Sequence, residues 1–197
     1  YVSKEINLAH CKIIVFSEEI ASEGISKEIY TLVNDIQMRP DTAIIVSKST
    51  AKDFIENSEP DLESSVSEYY EITPESSEYT GFTDYMTIGR FYNALCSDSM
   101  EAYAILGGVN SGSNTNTSDE ATNSENDISM KANETSFEDK PSSESLGIAV
   151  FKGDKLVGEL NAIESISHLI VSNKFESTIV PIPDPTNANN TIDIYVY

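Results

Sequence analysis

The stretch that decides the fold is residues 12–46, KIIVFSEEIASEGISKEIYTLVNDIQMRPDTAIIV. It begins with an apolar, β-branched run at residues 12–16 and ends with a second one at residues 42–46. Runs of this kind are typical of strands buried on both faces. A strand, a helical connection and a second strand at this spacing predict a crossover unit with parallel strands.

Two helices are predicted between these strands. Ser17 is an N-cap, with acidic residues in the first turn after it, and Gly24 ends the first helix. The second helix begins at Ser26, and its apolar residues continue at helical spacing as far as Ile36. Arg39-Pro40 ends it, because the residue before a proline is disfavoured in a helix.

A hairpin is predicted further along the chain. Residues 148–151 and 156–160 read as two strands around Gly153 and Asp154, which we assign as structural turn residues. Asn161 then caps a helix, whose apolar residues recur at helical spacing.

The region between the crossover unit and the hairpin is less regular. A short helix is predicted over residues 50–55, and a longer one from Thr83 to Leu95. A strand over residues 101–106 follows, and Gly107-Gly108 ends it. The pattern leaves open whether residues 58–106 form a helical subdomain of their own.

Residues 110–145 differ in composition from the rest of the chain. They are rich in Ser, Thr and Asn, carry eight acidic residues against two lysines, and almost lack large apolar residues. Such a segment cannot bury enough surface to offset its ordering entropy, so we predict a disordered acidic insertion.

These elements define the predicted fold class as α+β. It is a mixed β-sheet with packed helices and an antiparallel hairpin, interrupted by a long disordered acidic loop. Residues 1–197 are expected to be an excerpt of a longer protein, because Tyr1 is not a natural start and an apparent strand runs to the end of the chain with no tail after it.

Charge excludes some functions. Thirty-three acidic residues against 12 basic ones give a net charge of −21. A phosphate backbone or an anionic membrane surface attracts basic patches, so the chain is expected to bind neither nucleic acid nor anionic lipid through charge.

Patterns that indicate catalysis are missing from the sequence. Neither a nucleophile elbow nor a glycine-rich phosphate loop is present. The two histidines, His10 and His168, lack the spacing of a zinc site, and a structural role is favoured for each. Cys11 and Cys96 lie far apart and read as small apolar residues, although the sequence does not decide whether they pair. No enzymatic activity, metal or cofactor is expected.

Three segments together resemble a known family. They are residues 7–29 (NLAHCKIIVFSEEIASEGISKEI), 39–56 (RPDTAIIVSKSTAKDFIE) and 147–164 (GIAVFKGDKLVGELNAIE). Their order and content are similar to the Ger(x)C family, the lipoprotein C subunit of nutrient germinant receptors in endospore-forming bacteria. The hairpin sequence is the most specific of the three, and the likeness covers about half of the chain.

The resemblance implies a non-catalytic subunit of a spore germinant receptor. It would be anchored by lipid to the outer face of the spore inner membrane, assemble with integral-membrane receptor subunits, and couple nutrient sensing to germination. Residues 1–197 would be the N-terminal domain of a longer lipoprotein, whose lipid-bearing cysteine would lie upstream of Tyr1 and whose C-terminal domain would follow Tyr197.

Lys12, Lys48 and Lys52 are candidate partner contacts, because bases are scarce on so acidic a chain. The alternative for each is an apolar stem packed on the domain with its charge in solvent. The alternative function is a soluble extracytoplasmic module that binds a small ligand, and an enzyme with an unrecognised site is a further one.

Overall fold

The computed structural model describes residues 7–58, 70, 80–110, 130–135, 141–172, 174, 177–184 and 187–196. Strands and helices alternate in the first part of the chain. The strands are β1 (Ile13–Ser17), β2 (Ala43–Ser47), β3 (Tyr103–Asn110), β4 (Ser142–Lys152), β5 (Lys155–Leu160), β6 (Thr178–Asp184) and β7 (Asn187–Val196). The helices with described bounds are α1 (Glu18–Glu23), α2 (Ser26–Val33), α3 (Ala51–Glu56), α4 (Ile88–Leu95) and α5 (Ala162–Ser172).

Five strands form one mixed sheet in the order β1-β2-β3-β4-β5. The first three strands are parallel, and β4 and β5 join them as an antiparallel hairpin. Strands β6 and β7 form a separate antiparallel pair. The predicted α+β class with a mixed sheet is therefore confirmed, and so is the parallel crossover unit.

The caps of the first helix are also confirmed. The Ser17 side chain accepts a hydrogen bond from the backbone N–H of Ile20 at 3.4 Å. Gly24 ends the helix with φ of +117°, a conformation that L side chains rarely adopt.

The second helix is shorter than predicted, because α2 ends at Val33. The Asn34 side chain donates to the Tyr30 carbonyl at 2.7 Å, and the Asp35 carboxylate accepts from the Gln37 N–H at 2.8 Å. Local bonds of this kind compete with helical ones. Ile36, which was placed on the apolar face of the helix, is 99% exposed.

The two strands of the crossover unit differ in burial. Every residue of β2 is buried, as predicted. Most of β1 is only half-buried, because it is an edge strand of the five-stranded sheet. The prediction that both strands are buried on both faces is therefore wrong for β1.

Two boundaries near the centre of the chain are corrected. Helix α4 begins after Thr87, not after Thr83, because Thr87 forms an antiparallel bridge with Ala43 at the start of β2, and the flanking residues Met86 and Ile88 bond to Ile44 and Thr42. Strand β3 continues through Gly107-Gly108 to Asn110. Gly107 is needed there for close packing and not for a turn, since a Cβ would lie 2.7 Å from Cε2 of Phe54.

The ends of the acidic segment are ordered, unlike the prediction for residues 110–145. Asn110 belongs to β3 and residues 142–145 to β4. Residues 130–135 pack on the sheet: Ala132 is fully buried, and its N–H donates to the Leu146 carbonyl at 2.9 Å. This anchored segment could not be predicted, because residues 130–135 contain few large apolar side chains. The rest of the segment lies outside the described residues.

Most of residues 58–87 also lies outside the described residues. The described part of the region from 88 to 106 belongs to the main core, since α4 packs on α2 and β3 is the central strand. The larger core cluster lies between the sheet and helices α1, α2 and α4. A smaller one on the opposite face contains Ile45, Phe54, Tyr70 and Ile105.

Candidate functional site

The three lysines predicted as partner contacts do not form one patch. Lys12 precedes β1, and its carbonyl accepts from the Ala43 N–H at 3.0 Å, whereas Lys48 follows β2. A five-residue strand, about 16 Å long, therefore separates their backbones. Lys52 lies in the first turn of α3, four residues after Lys48, with 77% of its side chain exposed.

Lys48 is held inside the molecule. Its ammonium lies 3.0 Å from Oε2 of Glu159 in β5, and that oxygen is also 3.4 Å from Nζ of Lys131. The Glu159 side chain is only 13% exposed. This network ties the end of β2 and the anchored segment 130–135 to β5, and it could not be read from the sequence because the three residues are far apart in the chain.

We expect Lys48 and Lys52 to differ in their effect on stability. Lys48→Met should lower the free energy of unfolding by about 1–2 kcal/mol, since a charge-assisted hydrogen bond to a mostly buried carboxylate is lost while Lys131 remains. Lys52→Met should change it by at most about 0.5 kcal/mol, because its pair with Glu56 is exposed. Urea denaturation of both variants measures the difference. Equal effects would contradict the internal role of Lys48.

A shallow depression lies at the carboxyl ends of β1 and β2. Ligands of open α/β sheets bind at such edges. Three polar side chains that line it already bond within the chain: Ser17 and Thr50 cap helices, and Lys48 pairs with Glu159. Glu18 and Glu19 add negative charge at its rim. The depression therefore has few groups left to orient a small ligand.

A buried polar cluster joins four residues from distant parts of the chain. Asp84 is 7% exposed, and its Oδ2 accepts from Nζ of Lys174 at 3.1 Å and lies 3.5 Å from Nε2 of His168. The Lys174 ammonium also donates to the Tyr103 hydroxyl and lies 4.3 Å from the centre of that ring. The rings of Tyr103 and His168 meet edge to face at 5.5 Å.

The environment fixes the charge of this cluster. Burial acts to raise the pKa of Asp84, but its contacts with His168 and Lys174 outweigh that effect and lower it. Burial and the Asp84 charge raise the pKa of Tyr103. Asp84 is thus an anion paired with the Lys174 cation, and Tyr103 stays a neutral hydrogen-bond partner. Groups with shifted pKa values also occur in active sites. Here, however, Asp84 and Tyr103 both bond to Lys174 within the cluster.

The described residues hold no group of three or more His, Cys, Asp or Glu side chains that could bind a metal. In the same part of the chain, no helix is long and apolar enough to cross a membrane. Cys11 and Cys96 are both free thiols.

Comparisons with known proteins identify relatives among spore germination proteins. Residues 1–107 match the family described as spore germination protein N-terminal domain, and residues 146–197 match the family described as spore germination B3/GerAC-like, C-terminal. None of the curated protein sequences compared with the chain matches it.

A solved structure, the crystal structure of the GerBC protein, has a similar fold. It aligns with a TM-score of 0.51 and 15% sequence identity over 89% of this chain, which spans 41% of the length of GerBC. The fold and the family matches together define a spore germination protein. The chain belongs to the Ger(x)C family, the C subunit family of germinant receptors.

The two matched segments share one sheet. Strands β1 and β2 and most of β3 come from the first segment, and most of β4 and all of β5 come from the second. The buried cluster crosses the same boundary, with Asp84 and Tyr103 on one side and His168 and Lys174 on the other. Within the described residues, the two matched segments therefore share one sheet and one core.

Proposed function

We propose that this protein is a non-catalytic subunit of a spore germinant receptor that assembles with integral-membrane subunits and couples nutrient sensing to germination. The observation that carries the proposal is the match of both segments to spore germination families, joined in a single sheet. In the buried cluster, Lys174 bonds to both Asp84 and the Tyr103 hydroxyl, which favours a structural role for these groups over a catalytic one.

The proposed location is the outer face of the spore inner membrane, with a lipid anchor upstream of Tyr1 in the full-length protein. The net charge of −21 supports an anchor of this kind, since the domain itself would be repelled by anionic lipid headgroups. The partners would then be the integral-membrane subunits of the receptor.

Lys52 is the candidate contact that the fold leaves most accessible. Its side chain is 77% exposed on α3, and its pair with Glu56 at 3.7 Å is a weak one. A partner carboxylate could replace Glu56 at little cost in free energy. Lys12 and Lys48 remain candidates, but both side chains are partly buried.

The proposal is tested by deleting the gene in frame and measuring dipicolinic acid release from purified spores. Nutrient-triggered release should be lost, while release by a non-nutrient trigger should persist. An unchanged nutrient response, in spores with no paralogue, would contradict the proposal. Calorimetry of the domain with nutrient amino acids would then test the small-ligand alternative.

Restoring the gene with single substitutions tests the contact surface. Lys52→Glu should reduce the nutrient response several-fold, whereas Lys27→Glu, a matched change at an exposed lysine of α2, should not. Equal responses of the two strains would remove Lys52 from the proposed contacts.

A further inference from the structure

The β6–β7 hairpin is attached to the rest of the described structure mainly at its base. It forms its own two-stranded sheet and is not paired with the five-stranded one. A two-stranded hairpin is marginally stable by itself in water. Its orientation therefore depends on the contacts that its first strand and the preceding connection make.

Two of these contacts converge on residues 80–84. The Thr178 hydroxyl, at the start of β6, donates to the Thr80 carbonyl at 3.2 Å. Gly81 packs against the Thr178 side chain and has φ of +74°; a Cβ at this position would lie 2.6 Å from the Thr178 hydroxyl oxygen. Four residues earlier, the Lys174 ammonium reaches Asp84 and Tyr103.

Of these two contacts, the one made by Lys174 is expected to cost more free energy to break. If the ammonium left, Asp84 would stay buried without its cation and keep only the Tyr103 hydroxyl and the His168 imidazole beside it, and a buried carboxylate without a cation is costly. Opening the Lys174 contact is therefore expected to cost more free energy than opening an exposed ion pair.

We propose that Lys174 is a latch that holds the β6–β7 hairpin in a fixed orientation against the five-stranded sheet. Closed, it joins the end of α5 to the central strand through Tyr103. Open, it would free the hairpin while the sheet stays folded. A role for the latch in signalling rests on the proposed function. A subunit that couples nutrient sensing to germination needs a conformational change, and release of the hairpin would supply one.

The test is hydrogen–deuterium exchange, read separately in the hairpin and in the sheet. Lys174→Met keeps most of the side-chain volume and removes the charge. Exchange in residues 178–184 and 187–196 should accelerate about tenfold, while β2 and β3 stay within twofold of the unmodified protein. Lys155→Met, at an exposed lysine of β5, is the matched control and should change neither region.

Further variants separate a latch from ordinary stabilisation. Lys174→Arg keeps the charge and should restore slow exchange, and Asp84→Asn combined with Lys174→Met should exchange no faster than Lys174→Met alone. A uniform acceleration in all strands, or no change in the hairpin, would overturn the proposal. If Lys174→Met does not fold, Tyr103→Phe, which removes only the hydroxyl, should accelerate hairpin exchange about threefold, and an unchanged rate would overturn it.

This measurement uses the purified protein and needs no spores. The exchange experiment could contradict the latch while deletion of the gene still abolishes the nutrient response. It could equally support the latch while deletion has no effect on that response. The two proposals can be judged independently.

Discussion

Replacing Phe54 with alanine is expected to lower the free energy of unfolding by about 3–5 kcal/mol, the usual cost of deleting a buried phenyl ring. Phe54 is 1% exposed on α3, and its ring packs 6.1 Å from that of Tyr70. Gly107 lies directly against it and has no side chain to fill the cavity. Since domains are stable by about 5–15 kcal/mol, a large part of the folded population would be lost.

Urea denaturation of the Phe54→Ala protein measures this effect. The matched control is Ile55→Ala in the next position of the same helix, where the side chain is 49% exposed, and its expected loss is below about 1 kcal/mol. A loss at Phe54 no greater than at Ile55 would show that α3 does not cover this face of the sheet.

Replacing Gly147 with alanine is expected to cost about 2–4 kcal/mol. Gly147 has φ of +100°, where a Cβ is strained, and that Cβ would overlap the carbonyl oxygen of Leu160 on the neighbouring strand. Its N–H also donates to the Phe82 carbonyl at 2.9 Å, so the backbone cannot shift freely. Thermal and urea unfolding would both report the change.

Gly158 offers the matched control in the same hairpin. It has no left-handed backbone conformation, and a Cβ there would meet open space. Gly158→Ala should therefore change the free energy of unfolding by less than about 1 kcal/mol. The change should be stabilising, because alanine lowers the conformational entropy of the unfolded chain. Similar losses at the two glycines would contradict the backbone geometry of Gly147.

Much of the fold could be predicted because local patterns and tertiary structure agree in it. Ser17, Thr50 and Asn161 cap helices, and Gly153 with Asp154 connects β4 to β5. Predictions failed where tertiary or side-chain bonds override a local pattern. Thr83 has the chemistry of an N-cap, but the chain there lies extended against the sheet.

The glycine pair in β3 shows a second kind of failure. Gly107-Gly108 reads as a turn because glycine is common in turns, but each is required for close approach by another part of the chain. Gly107 faces Phe54, and Gly108 faces Asn133 from the anchored segment. Neither contact leaves a signal near the glycines in the sequence.

The buried cluster could not be predicted from the sequence either, because its four residues come from distant parts of the chain. The position of His168 within a predicted helix, beside Leu169, predicts a structural role for it, but no pattern in the sequence links it to Asp84, Tyr103 or Lys174. An acid, a tyrosine and a lysine are unremarkable in the sequence of an acidic domain. The tertiary structure brings them together: α5 packs on β4 and β5, and Lys174, which follows α5, bonds to Asp84 and to Tyr103 of β3.

The order of strands in the five-stranded sheet also bears on how the protein is made. Ile45 pairs with Ile105, which lies 60 residues further along the chain, and Tyr103 pairs with Val150. Long-range pairing of this kind slows folding. A chain leaving the ribosome would present the apolar edge of β3 unpaired until residues 142–160 had been synthesised, and open edges promote aggregation. The five-stranded sheet can therefore be completed only after the β4–β5 hairpin has formed. Substitutions that slow the formation of this hairpin should lower the yield of soluble protein, even where they do not change the binding of a partner.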